Sequence, residues 1–439
     1  MPLDTSRDEL AAWLRLSLEP DLGVMGAIGL LSAIGLPEQI YALGAAALAR
    51  HIPQDLARQL GAPPAPATAS LIDETLRWVE GPDRHIITLA DPRYPRALLT
   101  TADPPLLLYV RGEPARMAGP ALAVVGSRSA TPGGAENARA FARHLAQHGW
   151  CIVSGLALGI DAAAHEGALD AGSAGAGTVA VMGTGIDRIY PPRNAGLAER
   201  IAAHGALVSE LPLGSPAIAS HFPRRNRLVA GLAQGVLVVE AARQSGSLIT
   251  ARLAAENGRE VFAIPGSIHS PLSRGCHALI RQGAKLVETA RDITDELGDA
   301  AGAARRQKAD ARAADAAAEA SDGSGRYDAR DVKGRAAGTD VPGEDGADEH
   351  AADHRAAAGQ DRADHDAAAA AGKPAGAQAA VMAALGHDPV HLDTLLERTG
   401  LAPATLSARL LELELAGVVA RLDGGRFQRL AGARRAAKG

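Results

Sequence analysis

Residues 124–134, VVGSRSATPGG, combine an apolar run, a glycine turn and the start of a helical pattern. Backbone N–H groups at such a turn and helix start attract phosphate oxygens, and the glycine lets them approach closely. Arg128 lies inside the turn, where its guanidinium adds a side chain suited to bidentate phosphate contacts. The stretch therefore predicts a phosphate-binding turn at Gly126, Ser127 and Arg128.

Glycine and arginine recur in the segments that follow further apolar runs. These segments are SGLALGID (154–161), GTGIDRIYPPRN (183–194), HFPRRNRLVAG (221–231), ARQSGSLITA (242–251) and PGS (265–267). If the apolar runs are parallel strands, the segments meet at the carboxyl edge of one sheet, where open α/β folds bind ligands. The arginines on that edge would be Arg128, Arg193, Arg224, Arg225 and Arg227. Such a row suits a chain of phosphates better than a single terminal phosphate.

The familiar nucleotide fingerprints are missing from these loops. The sequence contains no GxxxxGK[ST] loop, and no G-x-G-x-x-G motif follows the first apolar run. Triphosphate hydrolysis and hydride transfer are therefore disfavoured, and we expect no cofactor. Ser127, Ser245 and Ser247 have no evident base partner, so we interpret them as hydroxyl donors to phosphate. We interpret Glu240 as a strand-end residue that organises the loops.

Asp161 and His165 are four residues apart in GIDAAAHEGAL, a spacing that suits an acid/base or metal pair. The sequence offers no evident third ligand. We therefore expect Asp161 to cap the helix and His165 to pack in the core. The sequence predicts neither a metal site nor a catalytic residue.

Alternating apolar runs and amphipathic segments position these residues. The candidate strands are ALAVV (121–125), CIVS (151–154), TVAVM (178–182), ALVS (206–209), VLVVE (236–240) and EVFAI (260–264). Continuous apolar strands between helices indicate a parallel sheet covered on both faces. The predicted fold class is α/β, with an extended Rossmann-like, doubly wound parallel sheet. Residues 84–112, whose LLLYV run fits a buried strand, lead into it.

Different patterns flank this region. Residues 8–18 have helical apolar spacing, and GVMGAIGLLSAIGLPEQIYAL indicates short helices joined by glycine turns. Residues 378–430 fit three helices and a two-stranded wing, which is typical of a winged helix. Large apolar side chains are scarce in residues 299–376, which predicts a disordered linker. The predicted domains are 1–80 (helical), 81–298 (Rossmann-like), 299–376 (linker) and 377–432 (winged helix).

Composition limits the class of protein and of ligand. The chain has 439 residues, of which 47% are hydrophobic and only 3% aromatic, and its formal net charge is −5. Such a chain repels nucleic acid as a whole, so a polyanion site must be a local concentration of arginine. Cys151 and Cys276 are far apart in the sequence, which argues against a disulfide scaffold or a zinc site. No stretch fits a signal peptide or membrane span, so we expect a cytoplasmic protein.

The ordered motifs resemble those of the DprA/Smf family, the DNA-processing proteins of bacterial transformation. The stretches that carry the resemblance are VVGSR, SGLALGIDAAAHEGAL, VMGTGIDRIYPPRN, HFPRRNRLVAGL, EAARQSGSLITARLAAENGREVFAIPGS and GCHALIRQGAKLV. The resemblance covers residues 80–297 strongly, and the flanking helical and winged-helix segments more loosely. It implies single-stranded DNA binding by the Rossmann-like domain, homodimerisation through that domain and loading of RecA recombinase. It implies no enzymatic turnover.

The resemblance also implies roles for individual residues at the matching positions. Gly126, Ser127 and Arg128 would hold a phosphate. The strand's path would be lined by Arg193, Asn194, Arg224, Asn226 and Arg227, and turn donors would come from Ser245, Gly246 and Ser247. The sequence departs from its relatives at Leu158, where many have lysine, and at GSAGAG (172–177), which resembles a short insertion.

Two other functions remain open. A nucleotide-processing enzyme of the lysine-decarboxylase-like phosphoribohydrolase type has a related fold, but its PGGxGT…E loop is replaced here by QSGSLITA, with Glu240 before the loop. A transcription regulator would read duplex DNA through the winged helix. Its helix LAPATLSARLLELELAG contains only Arg409 as a basic residue, which suits duplex reading poorly. We therefore expect an interaction or regulatory role for the winged helix.

Overall fold

The N-terminal part of the chain is helical. The structure is a computed structural model that describes residues 6–300, 302, 374–386, 388–422 and 424–430. The described part begins with α1 (Arg7–Leu18), α2 (Gly23–Ile34), α3 (Pro37–Ala42), α4 (Ala45–Leu48), α5 (Gln54–Gly61) and α6 (Pro66–Val79). The predicted short helices joined by a glycine turn are α2 and α3, which meet at Gly35 with a φ of +120°, while Gly26 and Gly29 lie inside α2. Burial of Ala27 and Leu30 in the helical core offsets the low helix propensity of its glycines.

A nine-stranded sheet within residues 84–286 forms the centre. Its strands are β1 (Arg84–Thr88), β2 (Leu107–Gly112), β3 (Ala121–Val125), β4 (Cys151–Ser154), β5 (Thr178–Val181), β6 (Ala206–Ser209), β7 (Gly235–Val238), β8 (Glu260–Ala263) and β9 (Lys285–Leu286). The order is β1-β2-β6-β5-β4-β3-β7-β8-β9. The strands from β6 to β9 in this order are parallel, whereas β1 and β2 pair antiparallel. The predicted parallel sheet is confirmed, and β1 and β9 extend it beyond the predicted strands.

Helices cover both faces of the sheet. They are α7 (Arg96–Leu99), α8 (Pro132–Gln147), α9 (Ile160–Leu169), α10 (Ala195–His204), α11 (His221–Leu232), α12 (Gly246–Glu256), α13 (Arg274–Arg281) and α14 (Ala290–Leu297). One face carries α7, α11, α12 and α13, and the other carries α8, α9, α10 and α14, with α1 and α6 beside them. Every residue of β3 is buried, as expected of a central strand covered on both sides. The doubly wound fold class is confirmed.

The strand order reverses between β3 and β7. The chain passes from β3 through β4 and β5 to β6 on one side, and then places β7 on the other side of β3. Such a switch point opens a crevice beyond the carboxyl ends of the strands, where α/β folds bind ligands. The Gly-Ser-Arg turn follows β3 directly, so the fold places it at this crevice.

A winged helix forms the C-terminal part. Its elements are α15 (Pro374–Leu385), β10 (Val390–His391), α16 (Leu392–Thr399), α17 (Pro403–Leu415), β11 (Val419–Leu422) and β12 (Arg426–Arg429). The strand order is β10-β12-β11, one strand more than the predicted wing. Leu395, Leu406 and Phe427 belong to its own apolar core. It contacts the Rossmann-like part where Arg398 donates to Glu136 of α8 at 2.6 Å.

The predicted linker, residues 299–376, lies outside the described residues apart from 299, 300, 302 and 374–376. The predicted domain boundaries therefore stay a prediction. No helix in the described ranges is both long and apolar enough to span a membrane.

Candidate nucleic-acid interface

The Gly-Ser-Arg turn after β3 is held by the loop that precedes α9. The Ser127 carbonyl accepts a hydrogen bond from the Ile160 N–H at 3.1 Å, and Ser127 Oγ accepts one from the Ser129 N–H at 3.2 Å. Gly159 permits this contact, because its φ is +75° and a Cβ there would lie 2.3 Å from the Ser127 carbonyl oxygen. Ser127 is buried and Arg128 is exposed. The turn is therefore fixed from behind and presents its arginine to solvent.

Arg128 lies beside an aromatic pair at the rim of the sheet edge and contacts the Phe222 ring of that pair. Its guanidinium carbon is 5.8 Å from the centroid of the Phe222 ring, within the range of a cation–π contact. The Phe222 ring packs on Tyr190 with a centroid distance of 5.5 Å, and Tyr190 is 44% exposed. This pair was not predicted from the sequence, although two of the chain's few aromatic residues fall in the predicted phosphate loops. An exposed ring beside an arginine is a surface on which a nucleic-acid base stacks.

Arg193 and Asn194, which were predicted to act together, face different ways. Arg193 is exposed. Asn194 is buried, and its amide donates to the carbonyls of Leu156 and Ala157 at 2.9 and 3.1 Å. Because Asn194 holds the loop after β4, we correct its predicted role from a ligand contact to a support.

Of the three predicted arginines on α11, only Arg224 faces solvent. Its side chain is 55% exposed, and its Nε lies 3.2 Å from Glu210 Oε1. Arg227 is buried, with ion pairs to Glu210 and to Asp103. Burial raises the pKa of Glu210, although the two arginines lower it. Arg227 therefore stabilises the packing of α11 on neighbouring loops. Its predicted role along a ligand path is corrected, because its guanidinium is buried in these ion pairs.

Arg225 is a buried cation beneath the loop after β4. It donates to the Val181 carbonyl at 2.7 Å, and it lies so close to Gly155 that a Cβ there would be 1.8 Å from a guanidinium nitrogen. Burial lowers the pKa of Arg225 to about 10, while Asp161 raises it and Arg128 lowers it. The predicted phosphate contact is corrected, because this face of α11 points into the core. Arg225 stays charged at neutral pH and adds positive potential behind the rim.

Asp161 supports the same loop. Its Oδ2 accepts hydrogen bonds from the N–H groups of Gly155 and Ala157 at 3.1 and 3.4 Å. The expectation that Asp161 caps α9 was wrong, because the residue lies inside the first turn and its carboxylate points back to the preceding loop. Burial raises the pKa of Asp161, while the charge of Arg225 lowers it.

His165 is a core residue, as expected. It is fully buried, and its Nδ1 lies 2.7 Å from Thr178 Oγ1, whose hydroxyl donates to the Ile152 carbonyl. Burial lowers the pKa of His165 to about 3, so the ring is neutral at physiological pH. Within the described residues, no group of three or more His, Cys, Asp or Glu side chains could hold a metal ion.

The serine turn after β7 begins α12 and is hydrogen-bonded to α11. Ser245 Oγ accepts a hydrogen bond from the Ser247 N–H at 3.4 Å and lies 2.7 Å from Ser247 Oγ. Asn226 donates to the Gly246 carbonyl at 3.4 Å. The structure therefore brings together Asn226, Ser245, Gly246 and Ser247. Gly246 is exposed, so the turn leaves backbone accessible at the start of α12.

Glu240 fills the switch-point crevice at the start of α8. Its carboxylate accepts hydrogen bonds from the Thr131 N–H at 2.9 Å and from the Thr131 hydroxyl at 2.6 Å. Burial raises the pKa of Glu240. The carboxylate thus occupies the anion position that a helix N-terminus favours, and it organises the loops as expected. Beside it is a cavity of about 420 Å³ that Asp388 and Arg398 of the winged helix help to line.

Exposed arginines are spread along the carboxyl edge. They include Arg128, Arg193, Arg224 and Arg243. Arg243, in the loop after β7, was not among the predicted residues, although the quoted ARQSGS segment contains it. Arg128, Arg193 and Arg243 form no ion pair with any residue that the structure describes. Unpaired guanidinium groups on one rim are available to bind several phosphates.

Comparison with known proteins identifies the family. Residues 85–298 match the family described as DNA recombination-mediator protein A, and residues 365–425 match the DprA winged helix domain. DNA processing protein DprA of Streptococcus pneumoniae is 46% identical over 210 residues, which cover 48% of this chain and 73% of the relative. The chain belongs to the DprA family.

Further comparisons agree with this assignment. Protein Smf of Escherichia coli K12 is 48% identical over 227 residues, covering 52% of this chain and 60% of Smf. The X-ray structure of Streptococcus pneumoniae DprA has 36% identity and a TM-score of 0.53, covering 65% of this DprA-family chain and 95% of that one. The predicted DprA/Smf resemblance is confirmed. The aligned region spans less than two thirds of the Escherichia coli relative.

Proposed function

We propose that this DprA-family chain binds single-stranded DNA along the carboxyl edge of its sheet and acts as a recombination mediator. The observation that carries the proposal is Arg128, which is exposed on a fixed turn, has no ion pair among the described residues and lies beside Phe222, whose ring packs on Tyr190. Single-strand binding proteins combine such backbone contacts with aromatic surfaces on which bases stack. The family description as a DNA recombination mediator supports the same function.

In this proposal Arg128 holds one phosphate of the strand. Gly126 and Ser127 bring the backbone of their turn close to the same phosphate, and Arg193 and Arg224 hold neighbouring ones. The turn donors are Ser245, Gly246 and Ser247, and Asn226 orients them. Most of the affinity then comes from phosphates, so binding falls with salt and selects weakly among sequences.

Base stacking favours a single strand over a duplex. The face of a base is accessible to an aromatic ring only when the base is unpaired and unstacked from its neighbours. Tyr190 is exposed at the rim and is backed by Phe222, which fixes the plane it offers. A duplex would engage the arginines without using this ring.

The mediator role further includes dimerisation and delivery of the strand to RecA in the cytoplasm. For the homodimer we propose the end of the Rossmann-like sheet, residues 261–287. Edge strand β9 is only two residues long there, and Leu286 and Ile268 are 43% and 75% exposed. Exposed apolar side chains on a sheet edge are a typical place for self-association. The family description names a recombination mediator, and the RecA-loading step is our proposal for how that role is carried out.

A gel shift with single- and double-stranded oligonucleotides of equal length tests the central proposal. We expect the single strand to be retained at lower protein concentration, and Arg128→Ala to weaken that retention. Equal retention of both forms, or an unchanged shift for the variant, would contradict it. Sedimentation of Leu286→Arg tests the dimer, and RecA filament formation on single-stranded DNA with and without the protein tests loading.

The alternative function is a nucleotide-processing enzyme. The arrangement of Glu240 disfavours it, because both carboxylate oxygens accept hydrogen bonds from Thr131, the N-cap of α8. Incubation with nucleoside monophosphates and an assay for free base distinguishes the two functions. Release of base at a rate that scales with protein would favour the enzyme.

A further inference from the structure

Helix α17 of the winged helix has two apolar faces. One face, with Leu406, Leu410 and Leu413, is buried in the winged-helix core. The second face is exposed to solvent, and Leu411 and Leu415 on it are 56% and 81% exposed. This exposed stripe consists of Ala404, Ala408, Leu411 and Leu415. Its 4-3-4 spacing is that of a seam between two paired helices.

The exposed face of α17 is poorly suited to DNA. Its only basic residue, Arg409, is ion-paired with Glu412 at 2.6 Å, and Glu414 adds a second negative charge. A helix that reads DNA needs cations directed at phosphates or bases. An apolar stripe flanked by glutamates instead indicates a protein partner.

The stripe is complementary to itself when two copies run antiparallel. Ala404 then lies opposite Leu415 of the second copy, and Ala408 lies opposite Leu411 of the second copy. Each leucine meets an alanine, and the same pairs form twice about a two-fold axis. Large residues opposite small ones interdigitate without voids. A parallel pair would place leucine against leucine and alanine against alanine.

Charge favours the same orientation. Glu412 and Glu414 lie in the C-terminal half of α17, and the antiparallel pair places them beside the N-terminal half of the other copy. That half carries the hydroxyls of Thr405 and Ser407 and the positive end of the helix dipole. A parallel pair would gather four glutamates at one end. We propose that α17 pairs antiparallel with α17 of a second copy of this chain.

The contact is small and adds to the dimer of the Rossmann-like part instead of replacing it. Thirteen residues make a helix about 20 Å long, so one helix pair falls well short of the roughly 1,200 Å² of a stable interface. Leu422 and Leu430 of the wing are also exposed apolar residues, at 36% and 42%. The pairing is therefore weak alone and gains from any second link between the chains. It does not depend on DNA binding.

Cysteine pairing in the full-length chain tests both the contact and its register. The native Cys151 and Cys276 are buried, and burial raises the pKa of both thiols to about 12, so they do not compete as thiolates. A mixture of Ala408→Cys and Leu411→Cys chains under mild oxidation is expected to form disulfide dimers several-fold faster than either variant alone. The outer pair, Ala404→Cys with Leu415→Cys, is expected to behave alike, since disulfides need close Cβ atoms.

Glu397→Cys, exposed on α16 outside the stripe, is the matched control for random collision. Pairing of the mixtures at the rate of this control would overturn the proposal. So would faster pairing of Leu411→Cys with itself, which indicates a parallel or unregistered contact. Because the substituted side chains are exposed, we expect every variant to fold, so differences in the rate of disulfide formation report the contact itself. Single-strand binding measured on the same samples separates this proposal from the proposed function.

Discussion

Replacing Arg128 by alanine tests the link between the sheet edge and phosphate most directly. Arg128 is exposed and forms no ion pair within the described part of the chain, so the folded protein loses only its cation–π contact with Phe222. In the complex the variant loses charge-assisted hydrogen bonds to phosphate, each worth about 1.5–3 kcal/mol. We therefore expect single-strand affinity to fall by about 10- to 150-fold, with little change in melting temperature.

The salt dependence of single-strand binding gives a second quantity that is independent of the affinity at one salt concentration. If Arg128, Arg193, Arg224 and Arg243 each neutralise one phosphate, log K against log salt has a slope of about −2.8, using −0.7 per phosphate for single strands. Without Arg128 the slope becomes about −2.1. The affinity ratio of the two proteins then shrinks by about 2.6-fold between 50 and 200 mM salt. A structural defect would lower affinity without changing the slope.

Fluorescence anisotropy with a labelled oligonucleotide across a salt series measures both quantities. Arg143→Ala is the matched control, because Arg143 is also exposed but lies 11 residues into α8, about 17 Å from its start. Arg128→Lys keeps the charge without bidentate geometry, so it should retain the slope and lose part of the affinity. A direct contact between Arg128 and phosphate is refuted if Arg128→Ala keeps the wild-type salt slope, or if Arg143→Ala loses as much affinity as Arg128→Ala.

Three further predictions concern other parts of the fold. Tyr190→Ala should weaken single-strand binding by about 1–3 kcal/mol with an unchanged salt slope, and a changed slope in the anisotropy series would contradict stacking. Gly159→Ala should lower both melting temperature and DNA affinity through a clash with the Gly-Ser-Arg turn, whereas Gly172→Ala, with a φ of +74° and open space around it, should lose only stability. The pKa of His165 is about 3 in the folded protein and about 6.5 in the unfolded chain. As the pH decreases below about 6.5 only the unfolded chain is protonated at this residue, so the free energy of unfolding decreases. Urea unfolding should show His165→Asn losing about 2 kcal/mol less than the wild type between pH 7 and 5, and parallel curves would refute this.

The parts of the fold that follow from continuous apolar patterns were predictable. A buried strand such as ALAVV at β3 stands out because a sheet covered on both faces leaves it no polar position. Strand β9 could not be found in the same way. It has two residues and is defined by its pairing with β8, a contact between distant segments.

The predicted site residues divide into exposed and buried side chains, and the local sequence does not encode which is which. In α11, Arg224, Arg225 and Arg227 are neighbours in sequence, yet one faces solvent and two are buried with internal partners. Helical geometry turns each successive residue by about 100°, so one row of arginines spreads over several faces. Which face is buried depends on where β5 and β6 lie, and that information is tertiary.

The buried arginine explains why this edge suits an anion in particular. Arg225 and Arg128 have like charges, and Arg128 contributes to the lowered pKa of Arg225. Asp161 offsets part of that repulsion from inside the fold, while nothing on the solvent side of Arg128 does so among the described residues. A phosphate bound at Arg128 supplies the missing negative charge and is attracted by both cations, one through contact and one through its field. Since Glu240 already fills the neighbouring crevice through its hydrogen bonds with Thr131, we expect the phosphate that Arg128 binds to lie outside that crevice.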